Sequence, residues 1–401
     1  MDKELTKYFT LRYIAAFVLL MFCVQYLPVE GRSGVSIPKS FAVLLCVPVF
    51  FVYTMKISRA VVLFGLYYFF VILAAVLHPE TLRAGTLLYL ASFLFMYVTY
   101  YNLITVEKVF DRVFFIKLLK IMIIAFAVVL IIQQLLIVCG IEYCPLVNMT
   151  YGMHRGLSAN SLSNEPSYVA QLMAVAYLSL LRMSELKYGR ILSLKEIFKE
   201  NKLSTIAFLW IMLTLFSGTA IMALCIVGLY FLKKRYLKVV VPVIIALLTV
   251  LLFVEFNPLE RVVDSVAAFF TFDNEKIIEA DASAAWRTIP VSNTLTNLDL
   301  SDVDTWFGHG VDYQKEAGQL SEIATIGMIG DYGLVSFIIM QIIAFCLFIK
   351  RFFSGETVLW VVLFGATFCN IPYIWGAVMI LTAVRHFQTE YEHREPGILE
   401  V

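Results

Sequence analysis

Apolar residues in this chain come in long unbroken runs, without strict alternation or a single helical stripe. Windows of about 20 apolar residues, long enough to cross a hydrocarbon layer of roughly 30 Å as a helix, recur over nearly the whole sequence. They predict helices over 12–28, 40–55, 60–77, 85–104, 118–139, 167–182, 203–217, 219–232, 238–255, 323–349, 357–370 and 371–384. The stretch 203–232 has the length of one tilted helix, but Ser217-Gly-Thr219 is a hairpin point and both flanks are basic, so two short helices are expected. The N-terminal run lacks a small-residue cleavage site and is expected to stay as the first helix. The expectation is an all-α polytopic membrane protein of about a dozen transmembrane helices, forming a single integral membrane domain over residues 1–401.

Composition agrees with this reading. The chain is 61% hydrophobic and 15% charged, whereas soluble domains carry about a quarter charged residues. Its net charge of +1 offers nothing to nucleic acid, so only local charge placement matters. With the N-terminus in the cytoplasm, one side collects Lys3, Lys7 and Arg12; Lys56 and Arg59; Lys108 to Lys120; Arg182 to Lys202; Lys233 to Lys238; Lys350 and Arg351; and Arg385 and Arg394. The other side receives only Arg32, Lys39, Arg83, Arg155, Arg261, Lys276, Arg287 and Lys315. That asymmetry obeys the positive-inside rule and puts both termini in the cytoplasm. The seven cysteines are scattered singly, five of them in apolar runs; a bond between Cys139 and Cys144 outside the membrane stays open.

Two outer segments are too long to be simple connectors: 140–166, and the large loop 256–320 between the ninth and tenth helices. Long loops between packed elements are usually functional or disordered, and Trp286, Trp306 and Phe307 argue against plain disorder. In the first loop, Arg155 precedes Ser158-Ala-Asn-Ser-Leu-Ser-Asn-Glu165-Pro-Ser-Tyr-Val-Ala170. Pro166 suits the first turn of a helix, which sets the Glu165 carboxylate at its outer mouth, where the helix dipole also favours it. In the large loop, Arg287 beside Trp286 is suited to meet a phosphate with paired hydrogen bonds, or to pair with a neighbouring carboxylate. His309 sits between Gly308 and Gly310, where a ligand can approach closely. A histidine there is able to take a proton from a hydroxyl, or simply to bond a backbone carbonyl. Asp302-Val-Asp304 resembles the Asp-x-Asp that holds metal and sugar nucleotide in soluble glycosyltransferases. Nucleotide sugars are cytoplasmic, however, and this loop is expected on the far side, so no metal or other cofactor is expected. His78 and His386 fall at helix ends and read as interfacial.

Taken in order, these pieces resemble a known family. Arg155, then Ser-Asn-Glu165-Pro-Ser-Tyr-Val-Ala, a Phe216-Ser-Gly-Thr219 hairpin, Trp286-Arg287, Trp306-Phe-Gly-His-Gly310 and Ile329-Gly-Asp-Tyr-Gly-Leu334 resemble the bacterial O-antigen polymerase (Wzy) family and its relatives, the O-antigen ligases. The resemblance runs from the fifth helix to the C-terminus. The family's outer loops carry Arg-to-Gly spaced motifs; here Gly156 follows Arg155 directly, and Arg287 reaches Gly308 after a longer gap.

The resemblance implies a GT-C-type glycosyltransferase of the bacterial inner membrane, with its active site on the periplasmic or outer face. Its substrates would be polyprenyl-diphosphate-linked oligosaccharides, with membrane lipids, a chain-length regulator and a flippase as further partners. The growing glycan would move from its lipid carrier onto the nonreducing end of a lipid-linked repeat unit. Arg155 and Arg287 would then bind the diphosphate, and His309, or else Glu165, would be the catalytic base. A ligase would do the same chemistry on a lipid A core acceptor. A transporter of lipid-linked sugars would usually show repeat halves and midspan charges; here the halves look unlike each other and midspan charge is nearly absent. A nonenzymatic scaffold has no feature in its favour.

Overall fold

The computed structural model describes residues 3–25, 37–141, 143–149, 157–231, 242, 258–280, 282–313, 326–364 and 372–394. Regular structure among them is helical, apart from an isolated bridge between Cys144 and Met149. The helices are α1 (Lys3–Cys23), α2 (Ile37–Tyr53), α3 (Arg59–Leu77), α4 (Ala84–Thr105), α5 (Arg112–Val138), α6 (Pro166–Tyr188), α7 (Leu194–Thr214) and α8 (Gly218–Leu229). They continue with α9 (Pro258–Phe269), α10 (Asn274–Ala280), α11 (Ala282–Thr296), α12 (Val303–Phe307), α13 (Met328–Ile343), α14 (Gly355–Val358) and α15 (Pro372–Arg394). Among the described residues, five helical segments are long and apolar enough to cross a membrane: Arg59–Leu77, Ala84–Thr105, Arg112–Val138, Pro166–Tyr188 and Met328–Phe348. Lys39–Tyr53 and Gly218–Leu229 are apolar but shorter. Apart from residue 242, the helix expected over 238–255 lies outside the described residues.

Several helices run past the apolar windows. α1 begins at Lys3 and α15 continues to Arg394, because hydropathy marks where lipid would lie, not where the hydrogen-bonded backbone stops. Local polar residues set the true ends. Asp111 caps α5 by accepting from the Phe114 amide at 2.7 Å. Ser193 and Glu196 form a reciprocal capping box at the start of α7. The Glu196 carboxyl is held far below its usual range, first by Arg190 and then by the Ser193 amide and hydroxyl. The hairpin expected at 217–219 is present, with Phe216 in the left-handed region at φ 47° between α7 and α8. Cys139 and Cys144 are free thiols.

At the centre, α6 packs along α15, and around this pair lie α1, α4, α5 and α8. Nearly every residue of α6 is buried, and many are small: Ala170, Ala174, Ala176 and Ser179. Small side chains let helix backbones approach closely where lipid gives no hydrophobic drive for association. Trp375 of α15 is fully buried against Phe64, Phe93 and Tyr97. The outer helices show the converse pattern. α3 turns Val62, Leu66, Phe69, Ile72 and Val76 outward, and α5 turns out Ile121, Val128, Ile131, Ile132 and Leu135, both at helical spacing. Continuous apolar stripes of this kind suit a lipid boundary and not water.

Most of the described basic residues gather at one end of the bundle, tied together by contacts. Arg12 pairs with Asp111, Lys56 with Glu107, Lys108 with Glu390, and Lys350 with Glu392. Arg182 of α6 reaches Glu356 at 3.1 Å and Glu185 at 3.2 Å, while the Tyr230 hydroxyl donates to Glu185 at 2.5 Å. Both carboxylates are buried. Removing one partner of such a group strands the others in a poor solvent. Arg182→Met is therefore expected to destabilise the protein by roughly 3–5 kcal/mol, read as an earlier thermal unfolding transition of the purified protein in detergent.

Candidate functional site

The end opposite the basic residues carries two constructions. The first is the segment leading into α6. Its backbone is irregular and largely buried, so its amides and carbonyls need partners other than water. Gln133 of α5 supplies several: its side-chain amide donates to the carbonyls of Val147 at 2.6 Å and Ser161 at 3.1 Å, and its oxygen accepts from the Ser161 amide at 2.7 Å. Asn148 donates to the carbonyls of Gln25, Ser161 and Ser163 at 3.2, 2.9 and 2.9 Å. Gln25, just past α1, accepts from the Ser163 hydroxyl at 2.9 Å and the Asn164 amide at 3.2 Å. The Ser161 hydroxyl donates to the Phe126 carbonyl, and that of Ser158 to the Leu215 carbonyl. The serine- and asparagine-rich run is thus an internally bonded plug. It delivers Glu165 to the N-cap position, with Pro166 opening α6 as expected, and the Glu165 carboxylate accepts from the Ser167 hydroxyl at 3.0 Å.

The second construction forms within 256–320, where the expected loop carries α9 to α12. Ala268, Ile277, Ala285 and Ile289 from α9, α10 and α11 make a small apolar cluster of their own. Beyond them, Ser301 donates to Asp299 through its amide at 2.9 Å and its hydroxyl at 2.7 Å, which keeps that carboxyl below its usual range. Asp302 caps α12 by accepting from the Asp304 amide at 3.1 Å. After α12 the chain turns through Gly308 and Gly310, at φ 91° and 108°, against the start of α13, which breaks at Gly333 with φ 82°.

These glycines are forced by close approach. A Cβ on Gly308 would meet the Asp331 carbonyl oxygen at 2.3 Å, and one on Gly333 would meet the Trp306 carbonyl oxygen at 2.3 Å. The Trp-Phe-Gly-His-Gly and Ile-Gly-Asp-Tyr-Gly-Leu motifs are two halves of one interlocked backbone junction. It is joined by His309 N to Gly330 O at 2.9 Å and Gly310 N to Asp331 O at 3.2 Å.

His309 is oriented by that junction. Its Nδ1 lies 3.2 Å from the Gly330 carbonyl, which only accepts, so Nδ1 carries a proton and, in the neutral ring, Nε2 holds the lone pair. Nε2 stands 4.0 Å from Asp302. The ring stacks on Tyr313 with centroids 4.7 Å apart, and lies nearly parallel to His78 at 6.5 Å. His78, at the end of α3, has Nδ1 3.3 Å from Glu80 and Nε2 3.4 Å from Asp304.

Of the residues singled out from the sequence, His309 and Glu165 are both placed at this end, held by different elements. Arg287 lies on α11, and Arg155 lies outside the described residues. Sequence reasoning did not join His78 to His309, since a histidine at a span end reads as interfacial. It also set aside Asp302-Val-Asp304, whose spacing to His309 was the available signal. The chain matches no family model, no curated protein and no solved structure.

Because backbone atoms, not flexible side chains, stand in the way, Gly333→Ala is expected to destabilise the protein by about 1–3 kcal/mol or more. Gly65 of α3 has open space around its would-be Cβ, so Gly65→Ala should be neutral or stabilising by up to about 1 kcal/mol. Thermal unfolding of both variants in detergent checks the contrast.

Proposed function

We propose that this chain is a GT-C-type membrane glycosyltransferase of about a dozen spans, acting as a polymerase of O-antigen or a related surface polysaccharide in the bacterial inner membrane. The basic end would face the cytoplasm with both termini, in keeping with the positive-inside rule, and the His309 end would face outward.

The observation that carries the reading is His309 itself. An imidazole fixed through Nδ1 by a backbone carbonyl, with Nε2 free to accept and a carboxylate beside it, is the arrangement a general base requires. It stands at the end of an apolar bundle, where a lipid-anchored substrate would present its head group.

The proposed step balances simply. The acceptor hydroxyl oxygen bonds the anomeric carbon of the donor glycan. The bond from that carbon to the diphosphate oxygen breaks, and its electron pair leaves on the polyprenyl diphosphate. The hydroxyl proton passes to a base, for which His309 and Glu165 are the two candidates. Arg155 and Arg287 would hold the departing diphosphate, and fixed cations aimed at developing charge are worth several kcal/mol in a dry site.

Gel analysis of surface glycans tests the class. A deletion strain should show a single repeat unit on its core, restored to full polymer by the wild-type gene; a bare core would indicate a ligase, and an unchanged ladder would remove both. Arg155→Ala and Arg287→Ala proteins that insert normally should fail to restore long polymer, whereas full-length chains from both would rule out the diphosphate assignment. With purified enzyme and lipid-linked repeat units, losing the base should lower turnover about a hundredfold to ten-thousandfold. Unchanged rates in both His309→Ala and Glu165→Gln would dismiss both candidates.

A further inference from the structure

Two imidazoles at the outer junction each use one ring nitrogen on a carbonyl or carboxylate and turn the other toward an aspartate. His309 Nδ1 is committed to the Gly330 carbonyl, so its Nε2 lone pair points toward Asp302 at 4.0 Å. His78 repeats the pattern: Nδ1 lies against the Glu80 carboxylate at 3.3 Å, and Nε2 faces Asp304 at 3.4 Å. His78 Nε2 is also buried and has no hydrogen-bond partner. Two imidazole nitrogens and two carboxylates thus converge on one corner.

We infer that Asp302, Asp304 and His309, with His78 beside Asp304, form a divalent-cation site. One ligand atom each from Asp302, Asp304 and His309 lies within 4.8 Å of the others. Bonds of about 2.0–2.2 Å from an ion to imidazole nitrogen and carboxylate oxygen place ligands on opposite sides of it about 4 Å apart. The three atoms therefore need only small movements to close on one ion.

The way the rings are held supports this further. Metal-binding histidines characteristically donate their second ring nitrogen to a carbonyl or carboxylate, which fixes tautomer and direction. Gly330 and Glu80 stand in those two positions. A mixed set of carboxylates and imidazoles suits Mn2+ or Zn2+ better than Mg2+ or Ca2+, which prefer oxygen alone.

What the ion does rests on the glycosyl-transfer reading; whether it binds does not. Glu80, Asp302 and Asp304 make this corner acidic, and the Arg83–Asp312 pair beside it adds no net charge, so an ion here would draw a lipid diphosphate closer. An ion here would accept diphosphate oxygens and neutralise the charge that develops as the glycosyl bond breaks. With an ion bound, His309 Nε2 would serve as a ligand and the acceptor proton would pass to Glu165; without one, His309 would keep the role of base.

The test uses the full-length protein, purified in detergent and stripped with a chelator. Mn2+ titration followed by loss of the free-ion paramagnetic resonance signal should show saturable binding of one ion per chain. Zn2+ should compete for it. Asp302→Asn and Asp304→Asn keep side-chain shape, and Asn serves as well as Asp at the α12 cap, so both should fold. Each should weaken Mn2+ binding at least about tenfold. Their unfolding temperatures without metal should match the wild type, and the rise that Mn2+ gives the wild type should shrink or vanish.

Absence of saturable binding in the wild type, or equal binding in both variants, would overturn the site. Turnover of lipid-linked repeat units that persists under chelation, with no ion bound, would remove the metal and leave the transferase standing. Tight binding without turnover would do the opposite.

Discussion

Buried backbone must find hydrogen-bond partners inside the protein, and this requirement governs the molecule. In lipid it leaves helices as the spanning element, and wherever the chain departs from helix it demands side-chain amides and hydroxyls in place of water. The segment before α6 departs furthest. Gln133, Asn148 and Gln25 reach in from α5, the adjoining loop and the end of α1 to pair its carbonyls and amides. One network thereby fixes the entry angle of the central helix and locates the Glu165 carboxylate. The interlocked junction of Gly308 and Gly333 meets the same requirement with backbone alone, through the bonds from His309 and Gly310 to Gly330 and Asp331.

These two devices explain how an apolar bundle holds ordered polar side chains at one end. The plug closes the mouth of α1, α5 and α6. The junction ties the α12 segment to α13, and Gly310 fits against Thr81 and His78 beyond α3. Side chains that face outward between them sit on backbone that is doubly constrained. A group held in this way keeps its direction without reorganising when charge develops nearby, which is the physical content of preorganisation.

Much of the fold was legible in the sequence, and the reasons differ by element. Apolar runs located α2 to α8, because helices such as α3 and α5 are apolar on their exposed as well as their buried sides over most of their length. The hairpin at Ser217-Gly-Thr219 was readable from local turn chemistry. The helix ends were not, since Asp111, Ser193 and Glu196 set them in polar sequence that hydropathy ignores. Nor were the helices within 256–320, whose apolar cluster of Ala268, Ile277, Ala285 and Ile289 is too sparse to stand out. At the site, His309 drew notice because two glycines flank it. His78 did not, because its relation to His309 spans more than 200 positions of sequence and exists only once α3 and α12 are packed. The interlocking of the two glycine motifs was likewise invisible, since nothing in either one names the other.

The burial of α6 carries a consequence for biogenesis. A helix buried along nearly its whole length completes its packing only when its neighbours are present, and its chief neighbour α15 leaves the ribosome long after it. During synthesis α6 must wait beside α5, α7 and α8, which border it on other sides, before its long contact with α15 can form. The last stage of assembly is then a long-range docking event of high contact order, the slowest kind of step. Until it happens the central face of α6 is open, and a chain halted there would offer that face to chaperones and membrane proteases.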